Sequence, residues 1–243
     1  MTDPRTVLVL DASIIEADGR ASIAVNGERL ETPAGNPVDP SIELAEAMVE
    51  ELLADGAVDV TRPSLYAFYS TERDFIAPDP TRTIDTLVEL LAHDFLVHPD
   101  ERLGRRQVQV AAWKAQIDLW LRLAGREPPY APADGDPDIH RHDYGAFREL
   151  LARFTPSQLS IAIYAANVLK SATLGMLLAE RAIDAPSALE AAAVTPRMVA
   201  GDTQGDLERQ QEREEEWRQA IERLLRYAEL AASDSPFPPR EGG

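Results

Sequence analysis

Three short stretches of this chain carry residue types that could do chemistry. The first is Thr32-Pro-Ala-Gly35, a glycine-ended turn that could be taken for a phosphate-binding loop. It lacks the Gly-Lys-Ser/Thr ending that aims amides and a lysine at a phosphate, and it opens no Gly-x-Gly-x-x-Gly turn. The expectation is therefore a hairpin exit. The second stretch is "DPDIHRHD", where His140 and His142 stand beside Asp136, Asp138 and Asp143. Two imidazoles and three carboxylates have the chemistry of a divalent-metal site. In a Pro/Gly/Asp-rich segment the same residues serve as turn and cap formers, and that reading is preferred. The third is His93-Asp94, similar to the His-Asp pair of metal phosphohydrolases, although the rest of that pattern is not evident. His93 is read instead as a helix-end residue in favourable contact with the helix dipole. No Ser/His/Asp set, paired carboxylates in a motif or cofactor fingerprint emerges. The sequence thus predicts no catalytic residue, no bound metal and no cofactor. The alternatives kept open are a metal-dependent hydrolase using His93, His140 and His142, and a helical adaptor that binds another protein.

Composition narrows the partners. The 243 residues carry a formal net charge of -18, which repels nucleic acid phosphates and anionic lipid. A basic patch on a protein is the better match. With 44% hydrophobic residues the chain can bury a core, and with no cysteine it has no disulfide, thiolate nucleophile or Cys-based metal site. The beginning, "MTDPRTVLVL", shows neither a signal peptide nor a transit peptide. The expectation is a cytoplasmic bacterial protein, a monomer that does not insert into membranes. "LSIAIYAANVLKSATLGMLL", Leu159 to Leu178, is about long enough to span a bilayer. Lys170 near its centre would cost about 2.5–3.5 kcal/mol there, so the segment is read as one buried helix.

These residues must be positioned by a β-containing start and a helical remainder. "TVLVLDASIIEA" has the β-branched density of a strand or strand pair. Asp18-Gly19 and Asn26-Gly27 are two-residue hairpin signals, which gives a meander of about three strands ending at Thr32-Pro33. Helices follow. The first starts at a Pro-Ser cap and ends at Gly56, with Ile42, Leu44, Ala45, Met48, Val49 and Leu52 expected to face inward. The next carries the stripe Ile84, Leu87, Val88, Leu91 and Phe95. A single helix is expected from about Asp100 to Ala124, with Val110, Trp113, Ile117, Trp120, Leu121 and Ala124 at helical spacing, and Trp113 and Trp120 on it read as packing residues. Residues 126–143 read as a loop. Thr155-Pro-Ser-Gln158 is a capping box, Asp184 caps a helix running to about Ala193, and the last helix runs from about Gly205 to Ala232. On that last helix Trp217, Ala220, Ile221, Leu224, Leu225 and Ala228 form an apolar stripe. The residues before it, Glu208 to Glu216, are polar all round, as in a helix that meets solvent or a charged partner.

The order of these pieces resembles the ATP synthase alpha-subunit assembly chaperones of mitochondria and alphaproteobacteria. "VNGERLETPAGNPVDPSIELAEAMVEEL" is similar to the family's hairpin, Thr-Pro turn and first helix. "LGRRQVQVAAWKAQIDLW" is similar to its Arg-Gln helix. "FTPSQLSIAIYAANVLKSATLGMLLAERAIDAPSALEAA" and "QGDLERQQEREEEWRQAIERLLRYAELA" are similar to its buried helix and charged terminal helix. The chain departs at Glu51-Leu52, where the family has Glu-Trp, and at Gln204-Gly205-Asp206, where it has Trp-Gly followed by acids. It therefore reads as a divergent member.

The resemblance implies an α+β fold: a small N-terminal antiparallel β-rich domain followed by a larger, mostly helical one. The expected bounds are 1–62 for the hairpin domain with the first helix, 63–235 for the helical domain, and 236–243 for a disordered tail. It implies a function without turnover, holding the unassembled alpha subunit of the synthase head and preventing its aggregation. The expected partner contacts are Arg29, Thr32, Glu51, Gln107 and Asp206, together with Glu208, Glu212, Glu215 and Glu216 of the polar segment.

Overall fold

The computed structural model describes residues 7–17, 20–100, 102–124, 144–199 and 204–232. The histidine-containing loop and the C-terminal tail lie outside the described residues. The fold is α+β, with two small antiparallel sheets near the N-terminus and helices thereafter. The chain divides into two compact units, residues 1–78 with 223–243, and residues 79–222. The first boundary thus falls at Pro78, later than the expected 62. The reason is that the helix after residue 63 packs within the first unit, and so does the end of the last helix.

In the first unit β1 (Val7–Leu8) pairs with β5 (Ala57–Val58). β2 (Ala12–Ala17), β3 (Arg20–Val25) and β4 (Glu28–Arg29) form the meander in that order. Ala17 faces Arg20, and Val25 faces Glu28 across Asn26-Gly27. Asn26 and Gly27 have φ of 53° and 80°, the two positive angles a type I′ hairpin requires. The Asn26 side chain also reaches β1, accepting from Leu10 N–H at 2.8 Å and donating to the Leu8 carbonyl at 2.7 Å.

Helix α1 (Ile42–Asp55) begins where Ser41 Oγ accepts from Leu44 N–H, and ends at Gly56 in the left-handed conformation. Leu44, Ala45, Met48 and Leu52 are buried as the apolar spacing required, Ala47 is buried beside them, and Ile42 and Val49 are only partly buried. Helix α2 (Leu65–Thr71) is capped by Ser64 and runs into a π-helical turn, Glu72–Ile76. Tyr227, from the last helix, packs on Phe68 with ring centroids 5.8 Å apart and donates to Glu72 Oε2 at 2.6 Å.

The second unit is helical: α3 (Pro80–Leu91), α4 (Leu103–Ala112), α5 (Lys114–Ala124), α6 (Gly145–Leu151), α7 (Pro156–Leu169), α8 (Ala172–Ala179), α9 (Ala185–Val199) and most of α10 (Gln204–Ala232). Thr155 and Gln158 form the expected capping box on α7. Two expected single helices are each two. Residues 159–178 break at Lys170, whose φ of 58° ends α7 and whose N–H donates to the Ala166 carbonyl. Residues 103–124 break at Trp113, whose indole is fully buried and donates to the Ala191 carbonyl at 3.0 Å. Among the described residues no helix is long and apolar enough to cross a membrane. α9 continues through Pro196 to Val199, beyond the expected Ala193.

The break at Lys170 is held by Asp94, which is 1% exposed. Its Oδ2 accepts from Ser171 Oγ at 2.9 Å and from Thr173 N–H at 2.7 Å, and its Oδ1 accepts from Leu96 N–H at 3.0 Å. Ser171 Oγ in turn accepts from Leu174 N–H at 3.1 Å. A carboxylate therefore sits at the N-terminus of α8, where unpaired amides and the helix dipole favour negative charge. Burial still pushes its pKa up from 3.8. Every residue of α8 is buried. It lies close against α7 because Gly175 has no side chain: a Cβ there would be 2.9 Å from Ala166 N.

Two variants test this joint. Gly175→Ala is expected to lose about 1–3 kcal/mol, because the clash is with backbone that cannot swing aside. Asp94→Asn is expected to lose about 1–3 kcal/mol, since an amide cannot accept all three bonds. With its folded pKa above the unfolded one, Asp94 contributes less stability as pH rises from 3.8 through the folded value. The asparagine variant removes that slope. Urea titrations across pH check both, and an unchanged midpoint for either variant would show a joint looser than described.

Candidate protein-binding surface

The Thr32-Pro-Ala-Gly35 turn is built around an anion, but the anion belongs to the chain. Gly35 N–H donates to the Thr32 carbonyl at 2.8 Å, with Gly35 at φ 80°. Asp74 of the π-helical turn accepts from Thr32 Oγ1 at 2.6 Å, from Ala34 N–H at 2.9 Å and from Asn36 Nδ2 at 2.8 Å. A phosphate would need those same donors. Thr32 is accordingly buried. The turn is a hairpin exit, and the isolated bridge between Glu31 and Pro37 closes it.

Beside it lies a groove of about 530 Å³, walled by Val7, Val25, Leu30, Val58, Val60 and Tyr66, with Arg29 and Thr32 also on its lining. Arg29 is half exposed, and its Nη2 donates to both carboxylate oxygens of Asp39, at 2.7 and 2.9 Å. Its guanidinium is therefore already committed to a carboxylate.

Glu51 has a structural part that its place in the sequence did not suggest. Its Oε2 accepts from Leu65 N–H at 2.6 Å, at the first residue of α2, and its Oε1 lies 3.9 Å from Arg223 Nε. Burial pushes its pKa up from 4.5, against the opposing pull of the Leu65 bond and of Arg223. The residue thus fastens α1 to the start of α2 rather than standing in solvent.

The remaining expected contacts lie in the second unit. Asp206 on α10 pairs with Arg209, and Glu215 is held by Arg218 at 2.6 Å. Glu208, Glu212 and Glu216 are exposed on α10. Glu214, in the same run, is taken inward. Arg197 of α9 grips it at 2.7 Å and Glu190 at 2.8 Å, which lowers the Glu214 pKa. The segment is polar all round in residue type, but one edge faces inward: Gln210 is buried and donates to Glu214 Oε1. Gln107 is exposed on α4. His93 is exposed just after α3, while Asp94 next to it turns inward, so the two do not form a paired site. Among the described residues no group of three or more His, Asp or Glu is placed to hold a metal ion. His140 and His142 lie outside them.

The structure brings Arg29, Thr32 and Glu51 into the first unit and Gln107, Asp206, Glu208, Glu212, Glu215 and Glu216 into the second. Sequence reading missed Asp74, Asp39 and Arg197. Asp74 acts across 40 residues, Asp39 across 10 and Arg197 across 7 and 17, and no local spacing rule marks any of them.

No protein-family model matches the sequence, and no curated protein matches it at a significant level. Solved structures do match. Atp12 of Paracoccus denitrificans superposes with a TM-score of 0.70 at 20% identity, covering 92% of this chain and 97% of that one. This chain has the Atp12 fold. A single-site variant of the Paracoccus protein matches at the same TM-score, with 19% identity over 93% of this chain and 98% of the other. The Atu1473 protein of Agrobacterium tumefaciens, a candidate chaperone, matches with a TM-score of 0.66 at 23% identity, over 91% of this chain and 84% of that one. The Atp12 match runs through both the hairpin unit and the helical unit, since either alone is too short to give such coverage.

Glu51 gives the test of this region. Glu51→Ala is expected to lose about 1–2 kcal/mol, because Leu65 N–H is left without its acceptor. Glu51→Gln keeps an acceptor and is expected to stay within about 1 kcal/mol. Since the folded pKa is the higher one, the Glu51 contribution falls as pH rises above 4.5, and the glutamine variant loses that dependence. Chemical denaturation at several pH values checks this. An alanine variant as stable as wild type would show that Glu51 fastens nothing.

Proposed function

We propose that this protein is an assembly chaperone of the ATP synthase that binds the unassembled alpha subunit of the catalytic head. It keeps that subunit from aggregating and acts without catalytic turnover. The observation that carries the reading is the match to Atp12, an ATP synthase assembly chaperone, over 92% of the chain. The ordered resemblance of the hairpin, Arg-Gln and terminal-helix segments to the alpha-subunit chaperones supports the same client.

The physics fits. A subunit apart from its partners exposes an apolar interface and is prone to aggregate. A protein that covers it must bind less tightly than the true partner if assembly is to proceed. Charge favours a basic client surface: the chain has a net charge of -18, and Glu208, Glu212 and Glu216 stand exposed on α10. These acids contribute mainly to the encounter rate, because solvent screens them. Arg29, Thr32, Glu51, Gln107, Asp206 and Glu215 remain the other proposed contacts. Thr32 and Glu51 would act through the segments they hold in place, since their own polar groups are already bonded.

The test is light scattering of purified alpha subunit as it warms, with and without an equimolar amount of this protein. Suppression without added nucleotide is the expected result, and unchanged scattering would remove the client from the reading. Glu212→Lys combined with Glu216→Lys should leave the fold intact, as both side chains are exposed. It should slow association most at low salt, where the Debye length exceeds about 10 Å. Equal association rates across a salt series would show these acids to be only solvated.

A further inference from the structure

Helices α4 and α5 carry two stripes. One, formed by Gln109, Trp113, Gln116 and Trp120, is buried within the second unit. The other, formed by Gln107, Val110, Lys114, Ile117 and Leu121, repeats at three- and four-residue spacing and is open. Val110 is 38% and Leu121 39% exposed, and Ile117 is partly exposed. Arg106, Gln107, Val110, Ala111, Lys114 and Ile117 line a shallow groove of about 540 Å³ there. An open apolar seam with this repeat is the complement of an amphipathic helix, whose anchor residues recur at the same spacing.

Charge says what kind of helix. Between Arg102 and Ala124 stand five cations, Arg102, Arg105, Arg106, Lys114 and Arg122, against one acid, Asp118. This is a cationic segment in a chain of net charge -18. Asp118 partners Lys114 at 2.6 Å, and Asp100 lies 3.5 Å from Arg105. Arg106, on the groove itself, is opposed by neither. A basic helix would meet like charge here, whereas one with acidic flanks would gain pairs on the rim while its apolar face fills the seam.

We infer that the open face of α4 and α5 is a docking site for an amphipathic helix with acidic flanks, presented by the client protein. That the helix belongs to the client rests on the chaperone reading; the chemistry of the site does not. A client held here and at the α10 acids would have to offer an acidic helix and a basic surface. That two-sign requirement is a source of selectivity, since a protein with only one of them is repelled at one of the two places.

The probe is a labelled synthetic peptide of about three heptads, with leucine at the seam positions and glutamate on the flanks. Its counterpart has lysine in place of every glutamate. Fluorescence anisotropy on the full-length protein should show the glutamate peptide binding and the lysine peptide not binding through this face. Arg106→Glu with Lys114→Glu should weaken the glutamate peptide about tenfold or more at low salt, and Val110→Ser should weaken it with circular dichroism unchanged. The inference is overturned if the double variant binds the glutamate peptide as wild type does, or if the patch variants weaken the lysine peptide as much as the glutamate one. It is also overturned if sedimentation shows wild-type protein self-associating and the double variant monomeric, because a second copy would then fill the seam. The alpha subunit separates this from the chaperone reading. Its capture undiminished by the patch variants sinks this inference alone, and patch-dependent peptide binding without capture of the subunit sinks the chaperone reading alone.

Discussion

The second unit depends on one buried carboxylate. Asp94 takes three hydrogen bonds on its side chain, and its carbonyl accepts from Val97 and His98 N–H at 3.0 and 2.8 Å. With these it shapes the turn that follows α3 and fixes where α8 begins. α8 is wholly buried and packs on α3, α5, α7 and α9. Its start must therefore be satisfied inside the protein, away from water, and an uncompensated helix N-terminus there would be costly. The carboxylate meets that need, although its own desolvation opposes it. α7 can then end in a left-handed lysine and the chain can turn back at once, with Gly175 setting the helices close.

Carboxylates do the same work in the first unit. Asp74 collects the donors of the Thr32 turn, Glu51 takes Leu65 N–H, and Glu72 accepts from the buried Tyr227 hydroxyl. Burial raises the pKa of that tyrosine well above 10, so the phenol stays a donor. The acids of this chain thus divide into two sets. A few are internal acceptors that join segments distant in sequence, and they oppose the amides of turns and helix starts. The others, which include Glu208, Glu212 and Glu216, make the exterior negative. Asp94, which looked chemical beside His93, belongs to the first set.

What could be read from the sequence follows the range of the interaction. The Asn26-Gly27 turn, the Ser41 cap, the Gly56 stop, the Thr155–Gln158 box and the inward face of α1 are all local, and each is where its spacing put it. The breaks at Lys170 and Trp113 were not visible. A lysine in the left-handed region carries no glycine to announce it, and the buried indole that stops α4 depends on α9. Asp94 stands beside His93 in the sequence, which suggests the wrong chemistry, because partners it serves lie at Ser171 and Thr173. Asp74 was passed over for the same reason: the turn it holds is about forty residues earlier. The polar look of residues 208–216 hid an inward edge, since Gln210 and Glu214 are polar types that find Arg197 on another helix.

This division of charge bears on how a protein of this kind can bind and still let go. Internal carboxylates are locked by short bonds and cannot be spent on a partner without loosening the fold. Surface acids on α10 are cheap to carry, because solvent screens exposed pairs such as Arg218 with Glu215 and leaves them little effect on stability. A surface of this type raises the rate of encounter more than it deepens affinity. Affinity must then come from apolar contact, and the described exterior offers it in modest amounts: the seam on α4 and α5, and Leu8 and Leu10 at 65% and 78% exposure near the first strand. On the proposed chaperone role, fast capture on screened charge with shallow apolar contact would give a complex that forms readily and that a larger, better-packed subunit interface can displace.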